Sequence, residues 1–430
     1  MTSSRRNNRR PIGIDLFAGA GGMSLGFEQA GFDIAAAIEI DPIHCATHEF
    51  NFPKAATICA SVVDLSGNEI RRRAKLGNAD IDVVFGGAPC QGFSMIGKRA
   101  LDDPRNQLVF HFVRLVAELR PKYFVFENVK GLTLGKHAAF LDELIASFRE
   151  RGYDLLLPYR VLNAADYGVP QDRQRLFLIG ARRGLNLPSY PNKPVNFKTT
   201  VADAISDLPD ADVFAELLSS DAVRTKWKTA SIYAKRLRGL SSDPTDFGYA
   251  REFDKNLLTS SLRTEHTELS KQRFVATEPG KTEPISRFRK LPSDGLCNTL
   301  RAGTDSARGA FTSPRPIHPS LPRVITVREA ARLHSYPDWF RLHATKWHGF
   351  RQIGNSVPPL LARAVASEIV KALGVVPSKP CETIVQGSDE LIYCDMSEAA
   401  TRFRVPRNVI AQRLRKKDPS QLDLLEEAHA

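Results

Sequence analysis

Short apolar runs alternate with helix-like stretches between residues 11 and 181. The runs IGIDLF, DIAAAIEI, IDVVFGG and YFVFENV are rich in β-branched and aromatic residues, as buried strands are. Helical stretches follow the first two runs, at Gly22–Ala30 and 42–50, and another at 107–119 separates the last two. This alternation predicts an α/β fold with a parallel sheet, in which ligands bind at the carboxyl ends of the strands.

The pattern changes after residue 188. Strand-like runs become short and irregular, and basic residues alternate with Ser, Thr, Gly and Pro. Helical patterning returns at 326–334 and 358–373. We therefore predict a large domain over 11–188, a smaller irregular domain over 189–322, a return segment over 323–375 that completes the large domain, and an appendage over 376–430.

The appendage has the pattern of two short helices. Ser397 is the predicted N-cap of the first, and Pro406 is well placed to open the second, at 407–417. Such a pair would form a helix-turn-helix with a small apolar core made of Ala399, Ala400, Phe403, Val405, Ile410 and Leu414. The alternative is an amphipathic helix that packs on the large domain or on a second subunit.

Composition and charge narrow the function classes. The chain is 42% hydrophobic and carries a net charge of +12, which suggests a polyanionic partner. No apolar run approaches the roughly 18–20 residues that span a bilayer, and the basic N-terminus leads into a strand without an apolar signal region. The six cysteines are scattered, which fits a reduced, cytoplasmic compartment. His44 and His48 have helical spacing, but no further ligands lie nearby, so we expect no metal.

A glycine-rich loop follows the first strand. It reads F-x-G-x-G-G, with Phe17, Gly19, Gly21 and Gly22, and the second strand ends in Glu39, twenty residues after Gly19. Glycines let the backbone approach a ligand, and an acid at this distance suits a ribose diol. The spacing favours a ligand without a pyrophosphate, although a dinucleotide enzyme would show a similar loop and a tight turn could serve packing alone. Asp64, after the third strand, would accept a hydrogen bond from an adenine amino group.

Four further side chains are predicted to converge on the same edge of the sheet. Cys90 follows Pro89 in a glycine-rich loop at the end of the fourth strand, and Glu127 ends the fifth. Arg173 and Arg175 lie on one side of a later extended segment. A lone cysteine is more often an inert core residue, but a thiol, a carboxyl and a guanidinium in one pocket favour covalent catalysis.

These motifs resemble those of the DNA cytosine-5 methyltransferases, of the bacterial restriction-modification or Dcm-like type. The resemblance covers most of 11–375 and keeps the family's motif order, with DLFAGAGG, Glu39, Asp64, GGAPCQGFS, ENV, QDRQR, RVITVREAARLHSYPDWF and QIGNSVPP. Ala88 departs from the pattern, since many members have a second proline there. The resemblance implies a Rossmann-like S-adenosylmethionine-dependent methyltransferase sheet with a smaller target-recognition domain, and S-adenosyl-L-methionine as cofactor.

The chemistry of cytosine gives each candidate a role. Addition of the Cys90 thiolate to C6 makes C5 nucleophilic, and Glu127 would donate a proton toward N3. Arg175 would hold the base carbonyl, and Arg173 is the second arginine proposed for this catalytic role. From the resemblance, Phe17 packs on adenine, Glu39 holds the ribose, Asp64 the adenine amino group, and Asn355 and Ser356 the methionine part. The resemblance also assigns Gly19, Gly21, Gly22, Ile40, Pro89 and Leu108 to the cofactor site.

A stacked cytosine cannot reach a buried thiol, so the base must be flipped out. The polar stretch 92–105 is predicted to close over it, and 189–322 to choose the sequence in double-stranded DNA. We expect the protein to act on DNA as a monomer, in the cytoplasm and associated with the nucleoid. Whether a companion restriction endonuclease exists is a question for neighbouring genes. The alternatives are a tRNA cytosine-5 methyltransferase and a non-catalytic DNA-binding protein; a nicotinamide dehydrogenase would leave PCQGFS and QDRQR unexplained.

Overall fold

The computed structural model describes residues 9–89, 104–134, 137–194, 198–303 and 315–410. Cys90 and most of the predicted closing loop, 91–103, lie outside these ranges, as do 411–430 of the appendage. None of the described helices combines the length and the apolar character needed to cross a bilayer.

The strands within the described ranges are β1 (Ile12–Leu16), β2 (Asp33–Glu39), β3 (Ala56–Cys59), β4 (Val83–Gly86), β5 (Tyr123–Val129), β6 (Tyr153–Leu155), β7 (Arg160–Asn163), β8 (Gln174–Arg182), β9 (Val223–Arg224), β10 (Ala250–Arg251), β11 (Leu257–Leu258) and β12 (Thr383–Ile384). The α-helices are α1 (Gly22–Ala30), α2 (Pro42–Asn51), α3 (Gly67–Arg73), α4 (Pro104–Leu119), α5 (His137–Glu150), α6 (Val201–Ile205), α7 (Ile232–Leu237), α8 (Glu268–Ala276), α9 (Val327–Leu333), α10 (Lys346–Asn355), α11 (Pro359–Ala372), α12 (Glu390–Tyr393) and α13 (Met396–Phe403).

The main sheet has the strand order β3-β2-β1-β4-β5-β8-β6, and β7 also pairs with β8. The pairs from β3 to β5 are parallel, as predicted, and the order reverses between β1 and β4. Beyond β5 the strands are antiparallel, which the sequence pattern did not show. The predicted Rossmann-like α/β class is thus confirmed, and its reversal point marks where a ligand is expected.

Two apolar clusters cover the two faces of the sheet. On β5, Phe124 and Phe126 pack with residues of α4 and α5, whereas Tyr123 and Val125 pack with residues of α1 and α11. Successive side chains of a strand point to opposite faces, so one apolar strand serves both layers. All four side chains are at most 2% exposed, which explains why the run YFVFENV is continuously apolar.

A third cluster forms the core of the smaller region. It joins Val201 and Leu291 to Leu333 of α9 and Phe350 of α10, and it also includes Leu25 of α1. The return segment therefore divides between two cores, because α9 and α10 belong to this cluster while α11 packs on the sheet. The two regions share a continuous apolar boundary along α1.

Capping residues set several helix ends. Thr326 and Glu329 form a reciprocal capping box at α9, which agrees with the predicted start of that helix. Ser356 is the C-cap of α10, and its Oγ donates to the Ile353 carbonyl at 2.9 Å. The N-cap of α11 is Pro358, which donates no hydrogen bond, and Pro359 occupies the first turn.

The start of the appendage agrees with the second of its two interpretations, in which an amphipathic helix packs on the large domain. The first helix, α13, is capped by Asp395, not by the expected Ser397, since the Asp395 carboxylate accepts from the Glu398 amide. Its apolar face packs on the large domain, with Phe403 against Ala46 and Phe50 of α2. Residues 407–410 form turns and bends, and the rest of the predicted second helix lies outside the described residues.

Gly26 sets the distance between α1 and α11. A Cβ at this position would lie 2.4 Å from the Ala362 Cβ and 2.6 Å from the Pro359 carbonyl oxygen. Both neighbours belong to the backbone or to a short side chain, so neither can move aside cheaply. The backbones of the two helices therefore approach each other closely at Gly26, and the return segment is held against the first helix of the large domain.

We expect Gly26→Ala to lower the free energy of unfolding by about 1–3 kcal/mol, because the added methyl group overpacks this contact. Urea denaturation followed by circular dichroism measures the change. Gly131→Ala is the matched control, since a Cβ at Gly131 meets no atom closer than Val129 Cγ2 at 4.0 Å. Equal stability of the Gly26 variant and the wild type would contradict the close approach of the two helices.

Candidate active site

A cavity of about 520 Å³ opens where the strand order reverses. Its walls are the loops and strand ends that follow β1, β2, β4 and β5, closed by the ends of α10 and by a segment of the smaller region, 299–302. Of the residues predicted from the sequence, those that line it are Phe17, Gly19, Gly22, Glu39, Ile40, Pro89, Glu127, Arg173, Arg175, Asn355 and Ser356. One cavity thus brings together the predicted cofactor residues and the predicted catalytic residues, while Cys90 itself lies outside the described residues.

The Glu39 carboxylate fastens the glycine-rich loop to the end of β2. Its Oε2 accepts from the Gly19 amide, and its Oε1 accepts from the amides of Ile40 and Asp41, each at 2.9 Å. A carboxylate offers about four acceptor positions, so one is left for a donor in the cavity. This acid is both a structural clamp and a candidate ligand for a hydroxyl group.

The glycines of the loop have different roles. Gly19 has φ +55, and a Cβ there would meet no atom within 4 Å, so its backbone faces open space. Gly22 lies against the return turn, where a Cβ would come within 2.6 Å of the Val357 carbonyl oxygen. Gly21 does not line the cavity, because its α-carbon faces the Phe52 ring. Gly21 therefore serves the packing of the turn, which is the alternative that the sequence left open for this loop.

A buried chain of hydrogen bonds lies beneath the same loop. The Ser24 hydroxyl donates to Asp15 at 2.7 Å and lies 3.1 Å from His48 Nε2, whose ring contacts Thr57 on the other side. Burial raises the pKa of Asp15 to about 8 and lowers the pKa of His48 to about 3. Both groups are therefore mostly uncharged near neutral pH, and Asp15 lines the cavity with its proton in place.

Glu127 and Arg175 form a buried ion pair at the cavity. Glu127 is near the end of β5, Arg175 is on the antiparallel β8, and Arg175 Nε lies 2.9 Å from Glu127 Oε1. Burial raises the pKa of the Glu127 carboxyl, and the guanidinium groups of Arg175 and Arg173 oppose that rise. The pair therefore places a carboxyl that holds its proton more readily than an ordinary glutamate beside a fixed positive charge.

Arg173 has a different environment from the one predicted. Its guanidinium is buried and donates to three carbonyl oxygens, those of Leu300, Gly354 and Ser356, each at 2.8 Å. Both terminal nitrogens are used in this way, and only Nε lacks a partner among the described residues. The Arg173 guanidinium thus holds segments of the cavity wall together, and its predicted catalytic role stays a prediction.

The segment 299–302 was not predicted as part of the site. It is fastened to the motif that holds the arginines, because Thr299 Oγ1 donates to the Asp172 carbonyl at 2.6 Å and the Leu300 amide donates to Gln171 Oε1 at 3.1 Å. Arg301 follows, and it lines the cavity with an exposed side chain. The sequence carried no signal for this segment, since basic residues are frequent throughout 189–322.

Besides Gly21, two predicted cofactor residues do not line the cavity. Asp64 is exposed, and Leu108 packs against the core cluster on the α4 face of the sheet. The cavity also includes Asp41, His44 and Arg351, which the sequence motifs did not identify as site residues. Asp41 directly follows Glu39 and Ile40, so its position just after the end of β2 could have identified it as a candidate site residue. No group of three or more metal-ligating side chains was found in the described part of the chain.

Comparison with known proteins agrees with this geometry. Residues 13–371 match the family model described as "C-5 cytosine-specific DNA methylase". The chain is 68% identical over 409 residues to the Type II methyltransferase M.XorII of Xanthomonas oryzae pv. oryzae, covering 95% of this chain and 96% of that protein. It is 32% identical to the Type II methyltransferase M.AgeI of Thalassovita gelatinovora, covering 84% and 99% of the two chains.

A solved structure shares both the fold and the sequence pattern. It is a prophage-encoded protein of E. coli described as a DNA modification methyltransferase, 35% identical, with a TM-score of 0.71 and coverage of 84% of this chain and 99% of that chain. The family match spans the sheet, the smaller region and α11 together. The chain belongs to the C-5 cytosine-specific DNA methylases, enzymes of DNA methylation, as the sequence motifs indicated.

Proposed function

We propose that this enzyme transfers a methyl group from S-adenosylmethionine to C5 of cytosine in a specific double-stranded DNA sequence, by base flipping and addition of Cys90 to C6. The observation that carries the proposal is the shared cavity, in which the Glu39 clamp and the Glu127–Arg175 pair line one continuous space. Relatives named Type II methyltransferases support DNA as the substrate, over tRNA, and catalysis over DNA binding alone.

The cavity residues fit this cofactor. Glu39 keeps an acceptor position for a ribose hydroxyl, Phe17 and Ile40 offer apolar surface, and the open backbone at Gly19 leaves room for a ligand. Asn355 and Ser356, at the end of α10, would hold the methionine part. When bound, S-adenosylmethionine supplies an electrophilic methyl group.

The chain's own groups act on the flipped base. The Cys90 thiolate forms a bond to C6, and electron density moves toward C5 and N3. Glu127 donates a proton or a strong hydrogen bond at N3, for which its raised pKa suits it, and Arg175 keeps that carboxyl oriented and offsets charge at the base carbonyl. Water is the expected acceptor of the C5 proton, and release of Cys90 restores the ring.

The remaining regions have proposed roles as well. Residues 11–188 and the return segment 323–375 would carry catalysis, and 189–322 would read the DNA sequence. Arg301 joins the two, since it comes from the irregular region and lines the cavity. Every group named in this mechanism belongs to one chain, so a monomer on DNA suffices.

A direct test uses methyl-labelled S-adenosylmethionine with either plasmid DNA or tRNA. We expect label in DNA only, at C5 of cytosine within one sequence, as read by bisulfite sequencing. Cys90→Ser is the matched control, because its hydroxyl ionises far less readily than a thiol. It should lose methyl transfer and the covalent adduct with 5-fluorocytosine DNA. Label in tRNA, or no adduct with the active wild type, would contradict the proposal.

The pH dependence of single-turnover rates tests Glu127. A raised pKa means that the carboxyl keeps its proton to higher pH than an ordinary glutamate, and the rate should fall as pH rises through that value. Glu127→Gln should lower the rate by about 10²–10⁴-fold and remove this alkaline decline. An alkaline decline that persists in the variant would assign it to another group.

Arg173→Lys should weaken binding of both ligands more than it slows chemistry at saturation. A lysine cannot donate to three carbonyls in a planar fork, so the 299–302 segment and the turn at Asn355 lose their common support. We expect S-adenosylhomocysteine and target DNA each to bind about tenfold more weakly, by calorimetry and fluorescence anisotropy. An unchanged affinity for both, with a large loss of rate, would return Arg173 to a catalytic role.

A further inference from the structure

The appendage reaches the cavity. Ile410, the last described residue, lines the same space as Glu39, Ile40 and Asp41, although it lies 370 positions beyond Ile40 in the chain. It is half-buried, as is its neighbour Val409, which does not line the cavity. One wall of the cavity is therefore supplied by a part of the chain outside the matched family region, which ends at residue 371.

The path to this wall is well anchored. Helices α12 and α13 both contact α2, and Leu391, Ile392 and Phe403 form an apolar cluster with α2 residues. On the surface, Arg402 forms an ion pair with Glu49 of α2 at 2.7 Å. The His343 ring also contacts the Cys394 carbonyl at 2.9 Å, which fastens the appendage to the α10 side. The chain thus leaves α13 from a fixed point beside α2.

The packing of the appendage on α2 relates it to one part of the cavity. Glu39 and Ile40 immediately precede α2, and Asp41 is its N-cap. Phe403 of α13 packs on the cluster that includes Ala46 and Phe50 of α2, and Ile410 lines the cavity together with Glu39, Ile40 and Asp41. The appendage is therefore anchored on the helix that Glu39 and Ile40 precede, and it reaches the cavity within seven residues of Phe403.

The same cavity contains a polar group without a hydrogen-bond partner. The His44 side chain is 4% exposed and lines the cavity, and its Nε2 lies 3.9 Å from Asp41 Oδ2, beyond hydrogen-bond distance, with no hydrogen-bond partner among the described residues. Ile40, also in the lining, is 38% exposed. A ligand with apolar faces and a polar edge, as a purine has, would cover Ile40 and give His44 Nε2 a partner.

We propose that Ile410 is a contact for the adenosine moiety of the cofactor, supplied by the C-terminal appendage. The inference rests on the proposed function, because it takes S-adenosylmethionine as the ligand. Ile410 covers an apolar face of the nucleoside in the part of the cavity lined by Glu39 and Ile40, and it removes apolar surface of both partners from water. The appendage is then part of the cofactor site and not only a cover for α2.

Isothermal titration calorimetry with the full-length protein tests this directly. Ile410→Ala should weaken S-adenosylmethionine and S-adenosylhomocysteine by the same factor, roughly three- to tenfold, since truncation removes buried apolar area. Methylthioadenosine, which lacks the amino-acid part, should lose affinity by a similar factor. Val409→Ala is the matched control and should bind all three ligands as the wild type does.

The outcomes separate this inference from the proposed function. Wild-type protein that binds none of the three ligands would contradict the function, whereas wild-type binding with an unchanged Ile410→Ala variant would overturn the inference alone. Equal losses in the Val409 and Ile410 variants would also overturn it, because they would indicate a general loosening of the appendage. A loss for S-adenosylhomocysteine without one for methylthioadenosine would move the contact away from adenosine.

Discussion

The buried guanidinium of Arg173 is the interaction on which the site depends. It joins three segments that are far apart in sequence, the arginine motif before β8, the 299–302 segment and the turn after α10. Each donated hydrogen bond is charge-assisted, and the Ser356 carbonyl also lies 3.1 Å from His334 Nε2. Three segments of the cavity wall are therefore held together by one buried side chain.

Charge around the cavity is arranged by burial. Glu127 shares its environment with Arg175, while burial raises the pKa of Asp15 to about 8 against the opposing effect of the Ser24 hydroxyl. Glu39 and Asp41 also line the cavity, and the oxygens of Glu39 accept hydrogen bonds from three amides. A site arranged in this way can stabilise charge that develops on a substrate, since its own charges are already fixed.

Much of the fold and site could be predicted from the sequence. Strands β1, β2, β4 and β5 and the start of α1 followed from apolar runs and glycines, which are local signals. The antiparallel strands after β5 were missed because short strands next to a known sheet have no distinctive period. Local patterns do not resolve long-range packing, which determines the position of Arg301 and the exposure of Asp64. They also do not resolve the choice between competing N-cap residues, and so the capping of α13 by Asp395 was missed.

The contact between α1 and α11 has a consequence for synthesis. The cavity lining includes Phe17 and Gly22, from the loop after β1 and the start of α1, but also Ser356 and Val357, which emerge from the ribosome more than 330 residues later. At a synthesis rate of roughly 5–20 residues per second, Ser356 and Val357 are added tens of seconds after Phe17 and Gly22. During that interval the apolar face of α1 that later meets α11 has no native partner, so a nascent chain is exposed to misassembly and to chaperones there. Enzyme activity consequently begins only with a chain that is nearly finished.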